Sequence, residues 1–475
     1  MTIKAESASH HTALLTSHFK KQLEFGLDRY GEKSTPMWMA SLDVRTGAYP
    51  LNDTRPAEIG QRVYRKIDAP RGSTLYWDQP LAVAAHALSA RTGDPSYAQA
   101  ADAYVDYFLA NCVASNGLFL WGNHYYYDAY LDQTVRFGGE PRPVDMASEQ
   151  GELHETRPIP PAWELFWQRS PEAVERCIRQ MAERHIYDQA TGGFNRHADG
   201  EAGCAFLESG GILAETMCWL YGKTGDRALL EGALQVARFS YAHRGKSTGL
   251  IENNPTHTRW DKVISTTEAG HWAASLLRAH AATGEEAFAE MAEQVVAAYL
   301  RLGYERATGL YYGRLHIDTG EPVAGEKTTR YQPDYYSDPW EPLFPTHDYP
   351  MPLAESALTL YQLTGKSLFR EGASRWAGVI ARTLPARGGR GAYAEHYGRA
   401  IHFLVRAADV LQDPSCRELA ERVAAEAVEK LYAHGMFRGH PGEDRYDAVD
   451  GVGYLALSLM YLDTGEEPDG MGGGF

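Results

Sequence analysis

Apolar residues recur at helical spacing along almost the whole chain. Within 75–90, Leu81, Ala84, Ala85 and Leu88 form one stripe, the spacing that lays apolar side chains along one face of a helix. Stripes of the same kind predict helices over about 97–111, 160–185, 206–222, 227–243, 267–282, 286–301, 352–363, 367–382, 396–411, 415–433 and 449–462. Several end in one phrase: Thr92-Gly93-Asp94, Thr224-Gly225-Asp226, Thr283-Gly284-Glu285, Thr364-Gly365-Lys366 and Thr464-Gly465-Glu466. Glycine suits the left-handed cap that closes a helix, and Asp or Glu then favours the start of the next. Each phrase predicts a tight turn between two antiparallel helices.

A second signal sits between the helix pairs. A glycine, one residue of any kind and then an aromatic or aliphatic residue recur at Gly47-Ala48-Tyr49, Gly117-Leu118-Phe119, Gly192-Gly193-Phe194, Gly249-Leu250-Ile251, Gly309-Leu310-Tyr311, Gly391-Ala392-Tyr393 and Gly435-Met436-Phe437, 44 to 82 residues apart. Two helices with their loops need about this much chain. The two signals together predict an all-α fold, an (α/α)6–7 toroid of helical hairpins. One rim carries the tight Thr-Gly turns and the other short β-turn loops. The irregular gaps argue against an open solenoid with a strict period. No linker divides the chain, so residues 1–475 read as a single toroid domain. A stretch at about 310–350, with Tyr331, Pro333, Tyr335, Tyr336, Pro339, Pro342 and Pro345, predicts a long irregular loop over the open rim.

Charge and cysteines narrow the class. Lys plus Arg number 46 and Asp plus Glu 62, a net charge of −16. That balance excludes nucleic acid and anionic membranes as natural partners, and no stretch is long and apolar enough for a membrane span. The five cysteines are widely spaced without a CxxC, which argues against a disulfide framework and a zinc–thiolate site. The N-terminus shows no basic segment followed by an apolar run, so a soluble, cytoplasmic protein is expected.

Unusual polar residues gather in the loops of the β-turn rim. His124, Glu152, His154, Glu155, Arg157, Arg196 and His197 all lie beside predicted turns and off the helical stripes. Neutral imidazoles with a carboxylate suit a divalent metal. Neither the His-Glu nor the Arg-His dipeptide has the i, i+4 spacing of a helical zinc motif. On spacing alone, a metal site and ordinary hydrogen-bonding histidines both stay open.

The segment from Gly151 to Trp167 and the segment from Tyr187 to His197 resemble the corresponding stretches of polysaccharide lyase family 2, pectate lyases with an (α/α)7 barrel. The resemblance runs over roughly 75–200 and rests on an Arg-His dipeptide, a His-Glu pair about forty residues earlier and a still earlier histidine. Here Arg196 follows Glu155 by 41 positions, and His124 lies upstream. The resemblance implies a divalent metal on His124, Glu155 and His197, with Arg196 as the catalytic base; mixed nitrogen and oxygen ligands suit Mn, Zn or Ni alike. The chemistry is coherent: removing the C5 proton of a uronate builds charge on its carboxylate, which a cation stabilises. Arginine is a base only where a cation and desolvation shift its equilibrium. Its other role is a bidentate clamp on the substrate carboxylate.

Further substrate contacts are expected from Arg157, Tyr335, Tyr336, His271, His396 and Arg399. His271 follows Glu268 at the start of one predicted inner helix, and His396 and Arg399 begin another. Such residues point into a toroid's funnel or serve as caps and buried hydrogen-bond partners. Trp121, Tyr125, Tyr126, Trp163, Trp167 and Trp340 are stacking candidates that also suit a core. The reading is a metal-dependent lyase acting by β-elimination on acidic, uronic-acid-containing oligosaccharides. The alternatives are a uronide-active glycoside hydrolase working with two carboxylates, a sugar epimerase using His271 and His396, and a non-catalytic sugar binder. The net charge does not exclude an acidic sugar, because the nearest charges set the field at a site.

Overall fold

Fourteen α-helices alternate between two layers among the described residues. The structure is a computed structural model, and it describes residues 9–50, 71–122, 124–136, 141–146, 154–156, 159–258, 262–324, 335–340, 350–386, 388–389 and 391–468. In chain order the helices are α1 (His10–Phe25), α2 (Leu75–Thr92), α3 (Ser96–Asn111), α4 (Trp163–Arg169), α5 (Pro171–His185), α6 (Leu207–Thr224), α7 (Arg227–Ala242), α8 (Thr266–Thr283), α9 (Glu286–Leu302), α10 (Met351–Thr364), α11 (Ser367–Ala386), α12 (Ala394–Leu411), α13 (Pro414–Leu431) and α14 (Val452–Thr464). Even-numbered helices form the inner ring and odd-numbered ones the outer. α6 packs on α8, α8 on α10, α10 on α12, α12 on α14, and α14 on α2.

The short α4 completes the circle between α2 and α6. Pro80 lies inside α2 and has no N–H for the Tyr76 carbonyl. The Gln79 side-chain amide donates to that carbonyl instead, at 2.8 Å, while Gln79 Oε1 accepts the amide of Ala162 at the N-cap of α4. On the other side, Trp163 Nε1 donates to Thr216 of α6 at 3.1 Å. The predicted helix over 160–185 is thus two helices. Ser170 breaks it, capping the Ala173 amide with Pro171 at the first turn of α5, where a missing N–H costs nothing.

The N-terminal α1, which no predicted stripe covers, pairs with α14 and makes the seventh hairpin. Asp463 of α14 holds this seam, taking His11 Nδ1 at 2.7 Å, Arg91 of α2 at 3.5 Å and the Ser9 hydroxyl. The toroid is therefore sevenfold.

Both predicted turn types form. Gly93, Gly225, Gly284, Gly365 and Gly465 are left-handed C-caps with φ of 68–73°. The threonine before each glycine donates its hydroxyl to the carbonyl four residues back at 2.7–3.0 Å. It also accepts the amide two residues ahead at 3.0–3.3 Å. One side chain thus bonds to main chain on both sides of the turn, which explains the phrase. On the other rim all seven predicted glycines have φ of 70–101°. Three of these turns close short strand pairs, such as Ile186–Asp188 with Gly193–Phe194. A four-stranded sheet in the order Gly72–Ser73, Tyr125–Asp128, Gln133–Arg136 and Arg142–Pro143 adds the largest rim structure.

Inner-ring glycines set the helix spacing. A Cβ on Gly453 of α14 would lie 2.2 Å from the Leu81 nitrogen of α2. At Gly398 of α12 it would lie 2.6 Å from the Leu455 nitrogen of α14, and at Gly270 of α8 2.4 Å from the Leu353 nitrogen of α10. Backbone meets backbone at these crossings, which draws the ring tight around its axis. Trp121, Tyr125, Tyr126, Trp163 and Trp340 are buried, so these stacking candidates belong to the core. The reason is local: Trp121 lies within 6.1 Å, ring to ring, of Tyr76, Phe108, Phe119, Trp163 and Phe166.

Candidate metal centre

Glu155 and His197 face each other across an isolated antiparallel bridge. The flanking main-chain bonds run from Thr156 N to Arg196 O at 3.0 Å and from Ala198 N to His154 O at 2.9 Å. Glu155 and His197 are therefore a non-hydrogen-bonded pair, the arrangement that brings facing side chains closest. His124 arrives from a third segment, after Gly122 turns the chain at φ 78°.

The Nε2 atoms of His124 and His197 lie 3.5 and 3.6 Å from one oxygen of Glu155, Oε2. These distances are too long for hydrogen bonds. They match the separation of two ligands each about 2.1 Å from a tetrahedral ion, which is about 3.4 Å. The three donor atoms all lie within 4.8 Å of one another. Glu155 is buried, and His197 Nε2 is a buried atom that makes no hydrogen bond. A buried carboxylate between two imidazole nitrogens at ligand spacing fits a divalent cation. Nitrogen with oxygen donors suits Mn, Zn or Ni alike.

Arg196 stands one residue from His197. Its guanidinium carbon lies 5.2 Å from the centre of the Phe206 ring, and its buried Nε makes no hydrogen bond. Arg157 and Glu152 lie outside the described residues.

The other predicted site residues fall into two separate groups. His271 of α8 and Arg399 of α12 are both buried on the inner ring. Burial pushes the His271 imidazole well below its ordinary pKa, and the charges of Arg399 and Arg278 push the same way. Arg399 Nε donates to Glu395 at 2.8 Å, and its guanidinium carbon lies 4.1 Å from the centre of the Tyr454 ring. His396 is buried on the first turn of α12. Glu268 closes a capping box with Ser265 at the start of α8, so part of its role is structural. Tyr335 and Tyr336 form the second group. The rings of Tyr336 and Tyr312 stack at 5.6 Å, and both hydroxyls donate to Glu305 at 2.7 Å. Glu305 follows the outer helix α9, and Ser337, next to Tyr336, shares a 2.6 Å hydrogen bond with Thr266 at the start of the inner helix α8. The predicted loop at 310–350 is described only in part: Arg314–His316 pairs with Val263–Ser265 ahead of α8, while 325–334 and 341–349 lie outside the described residues.

Residues 73–206 match the family described as periplasmic pectate lyase. That stretch holds His124, Glu155, Arg196 and His197. The match corrects the expected cytoplasmic address, because the family it points to is periplasmic. The expected address rests on the N-terminal residues, which do not by themselves set the compartment. Among solved structures, the chain is similar to a family 76 glycoside hydrolase from a bovine Bacteroides thetaiotaomicron strain, at 11% identity and TM-score 0.49, over 96% of this chain and 78% of that one. It is also similar to an inactive variant of an α-1,6-mannanase of Salegentibacter sp. HEL1_6 in complex with α-1,6-mannotriose, at 12% identity and TM-score 0.46, over 95% and 99%. A third is the unsaturated glucuronyl hydrolase of Bacillus sp. GL1, at 16% identity and TM-score 0.44, over 64% and 84%. The toroid described above rests on the packing of this chain's own helices.

One residue that no sequence signal marks is His185. As the last residue of α5 it reads as a basic side chain favoured by the helix dipole. In the structure it is fully buried against His154.

Proposed function

We propose that the protein is a metal-dependent lyase that cleaves uronic-acid-containing oligosaccharides by β-elimination. The observation that carries this reading is the Glu155 carboxylate between His124 and His197 at ligand spacing, inside the stretch that matches pectate lyases. His124, Glu155 and His197 would hold the ion. A bound divalent cation would supply positive charge to the uronate carboxylate as the C5 proton leaves.

Arg196 takes the C5 proton in this proposal. The electrons of the C5–H bond form the C4=C5 double bond, the C4–O bond breaks, and the departing sugar oxygen gains a proton. Arg196 is next in sequence to a ligand, and the aromatic ring of Phe206 covers it. Arg157, two positions after Glu155 in sequence, and the inner-ring set of His271, His396 and Arg399 are proposed to bind the acidic sugar, with Tyr335 and Tyr336 as a stacking surface.

The test is incubation with a panel of oligouronides, with and without added Mn²⁺, Zn²⁺ or Ni²⁺. The expected result is new ultraviolet absorbance from the unsaturated product, lost with chelator. New reducing ends without that absorbance would replace the lyase with a hydrolase.

A further inference from the structure

His154 and His185 face each other on the side of the bridge away from Glu155. Residues alternate along an extended segment, so His154 turns opposite to its neighbour Glu155. Its Nδ1 lies 2.9 Å from His185 Nε2. His185 Nδ1 in turn lies 2.9 Å from the Asn195 carbonyl oxygen. A carbonyl only accepts, so His185 Nδ1 carries a proton. In the neutral imidazole one ring nitrogen donates and the other accepts. His185 Nε2 is then a lone pair, and it accepts from the Nδ1–H of His154. The two rings share one tautomer, and the direction of each hydrogen bond follows.

The main chain closes the circuit. Asn195 N donates to the His185 carbonyl at 2.8 Å, and Ala198 N donates to the His154 carbonyl at 2.9 Å. His185 therefore holds residue 195 by backbone and side chain together, two positions before His197. His154 holds residue 198 by its backbone, one position before Glu155. Both ligand-bearing segments are tied to the C-terminal end of α5, a rigid outer helix. We propose that His154 and His185 are positioning residues that fix the separation of Glu155 from His197, through one directed hydrogen bond between their rings.

This inference rests on the metal-centre reading, and the test separates the two. Mn²⁺ alone is titrated into the full chain, with free Mn²⁺ read by its electron paramagnetic resonance signal. His154→Leu removes the ring donor in similar volume, while His154→Asn keeps an N–H at the Nδ1 position. Removing a hydrogen bond behind a metal ligand typically costs 10–100-fold in affinity. His154→Leu is expected to bind Mn²⁺ at least tenfold more weakly with unchanged circular dichroism, and His154→Asn to recover most of the loss. A purely structural role would lower the melting temperature and leave the affinity of the folded protein alone. Equal affinity in folded His154→Leu and wild type overturns the positioning role while leaving the metal centre standing. If His154→Leu does not fold, His154→Gln takes its place, since its N–H is displaced by one carbon; affinity equal to that of His154→Asn overturns the proposal. No Mn²⁺ binding by wild type removes both readings at once.

Discussion

Tyr446 donates its hydroxyl to Asp78 at 2.6 Å, and Tyr104 donates to the other oxygen of the same carboxyl at 3.1 Å. Asp78 is fully buried on the inner helix α2. Burial raises its pKa to about 7, against the two hydroxyl hydrogen bonds, which pull it down. A carboxyl with a raised folded pKa binds its proton more tightly in the native state. The folded state then loses stability as pH rises from about 4, the unfolded value, through about 7.

Asp78→Asn mimics the protonated acid and removes this slope. Relative to wild type, the variant is expected to gain roughly 2–3 kcal/mol of stability between pH 5 and pH 8, at about 1.4 kcal/mol per pH unit per proton. Urea unfolding at both pH values measures the difference, which also cancels the opposite slopes of buried histidines such as His18. A parallel pair of pH profiles would show that Asp78 ionises normally.

The triad predicts where metal is lost. Glu155→Gln keeps the side-chain shape and removes the charge that draws a cation to the two imidazoles. Mn²⁺ affinity is expected to fall at least a hundredfold, on the order of 3 kcal/mol, with helical content unchanged. Calorimetric titration of the folded variant checks this, and wild-type affinity would mean a different ligand set. Oligouronide binding should fall with it, since the chain's net charge of −16 repels an acidic sugar unless the site carries local positive charge.

Arg196 separates base from clamp. Arg196→Lys preserves a cation but not the guanidine, whereas Arg196→Ala removes both. A base makes its contribution in the transition state, typically 10²–10⁴-fold. Both variants are therefore expected to lose about that much in kcat with Mn²⁺ binding retained. A rise confined to KM would assign Arg196 to holding the carboxylate instead.

Two glycine-to-alanine changes should destabilise for different reasons. At Gly93 a Cβ meets nothing within 4 Å, yet φ is +73°. The cost is the left-handed conformation itself, about 1–2 kcal/mol. At Gly453 the Cβ would sit 2.2 Å from a backbone nitrogen of the next inner helix, so α14 and α2 must move apart. Overpacking of that kind costs about 1–3 kcal/mol or more. Thermal unfolding is expected to show the larger loss in Gly453→Ala, and equal losses would place the ring contact elsewhere.

Elements whose cause lies within a few residues are readable from the chain. The Thr-Gly turns are legible because threonine bonds to the main chain on both sides of the glycine that caps the helix. The same holds for the rim glycines, whose backbone conformation no other residue adopts cheaply. The break at Ser170-Pro171 is missed because apolar spacing continues through it, although Ser followed by Pro is itself a start signal. Helix α1 is missed because its stripe is weak and it gains its partner, α14, from the far end of the chain.

The site divides along the same line. His124, Glu155, Arg196 and His197 stand out in the sequence as polar residues beside turns, and the resemblance names their roles. Their meeting is a product of tertiary structure. Glu155 and His197 meet through two main-chain bonds across a bridge between segments some forty residues apart. His185, the inner-ring glycines and Asp78 leave no local trace, because a histidine at a helix end, a glycine within a helix and an aspartate in a first turn are all ordinary in sequence. Which of them is buried, and against what, depends on where the closing of the ring brings distant helices into contact. Local backbone chemistry thus makes the hairpins of this protein readable from its residues, and long-range packing alone sets the spacing of its proposed metal donors and the charge state of its buried acids.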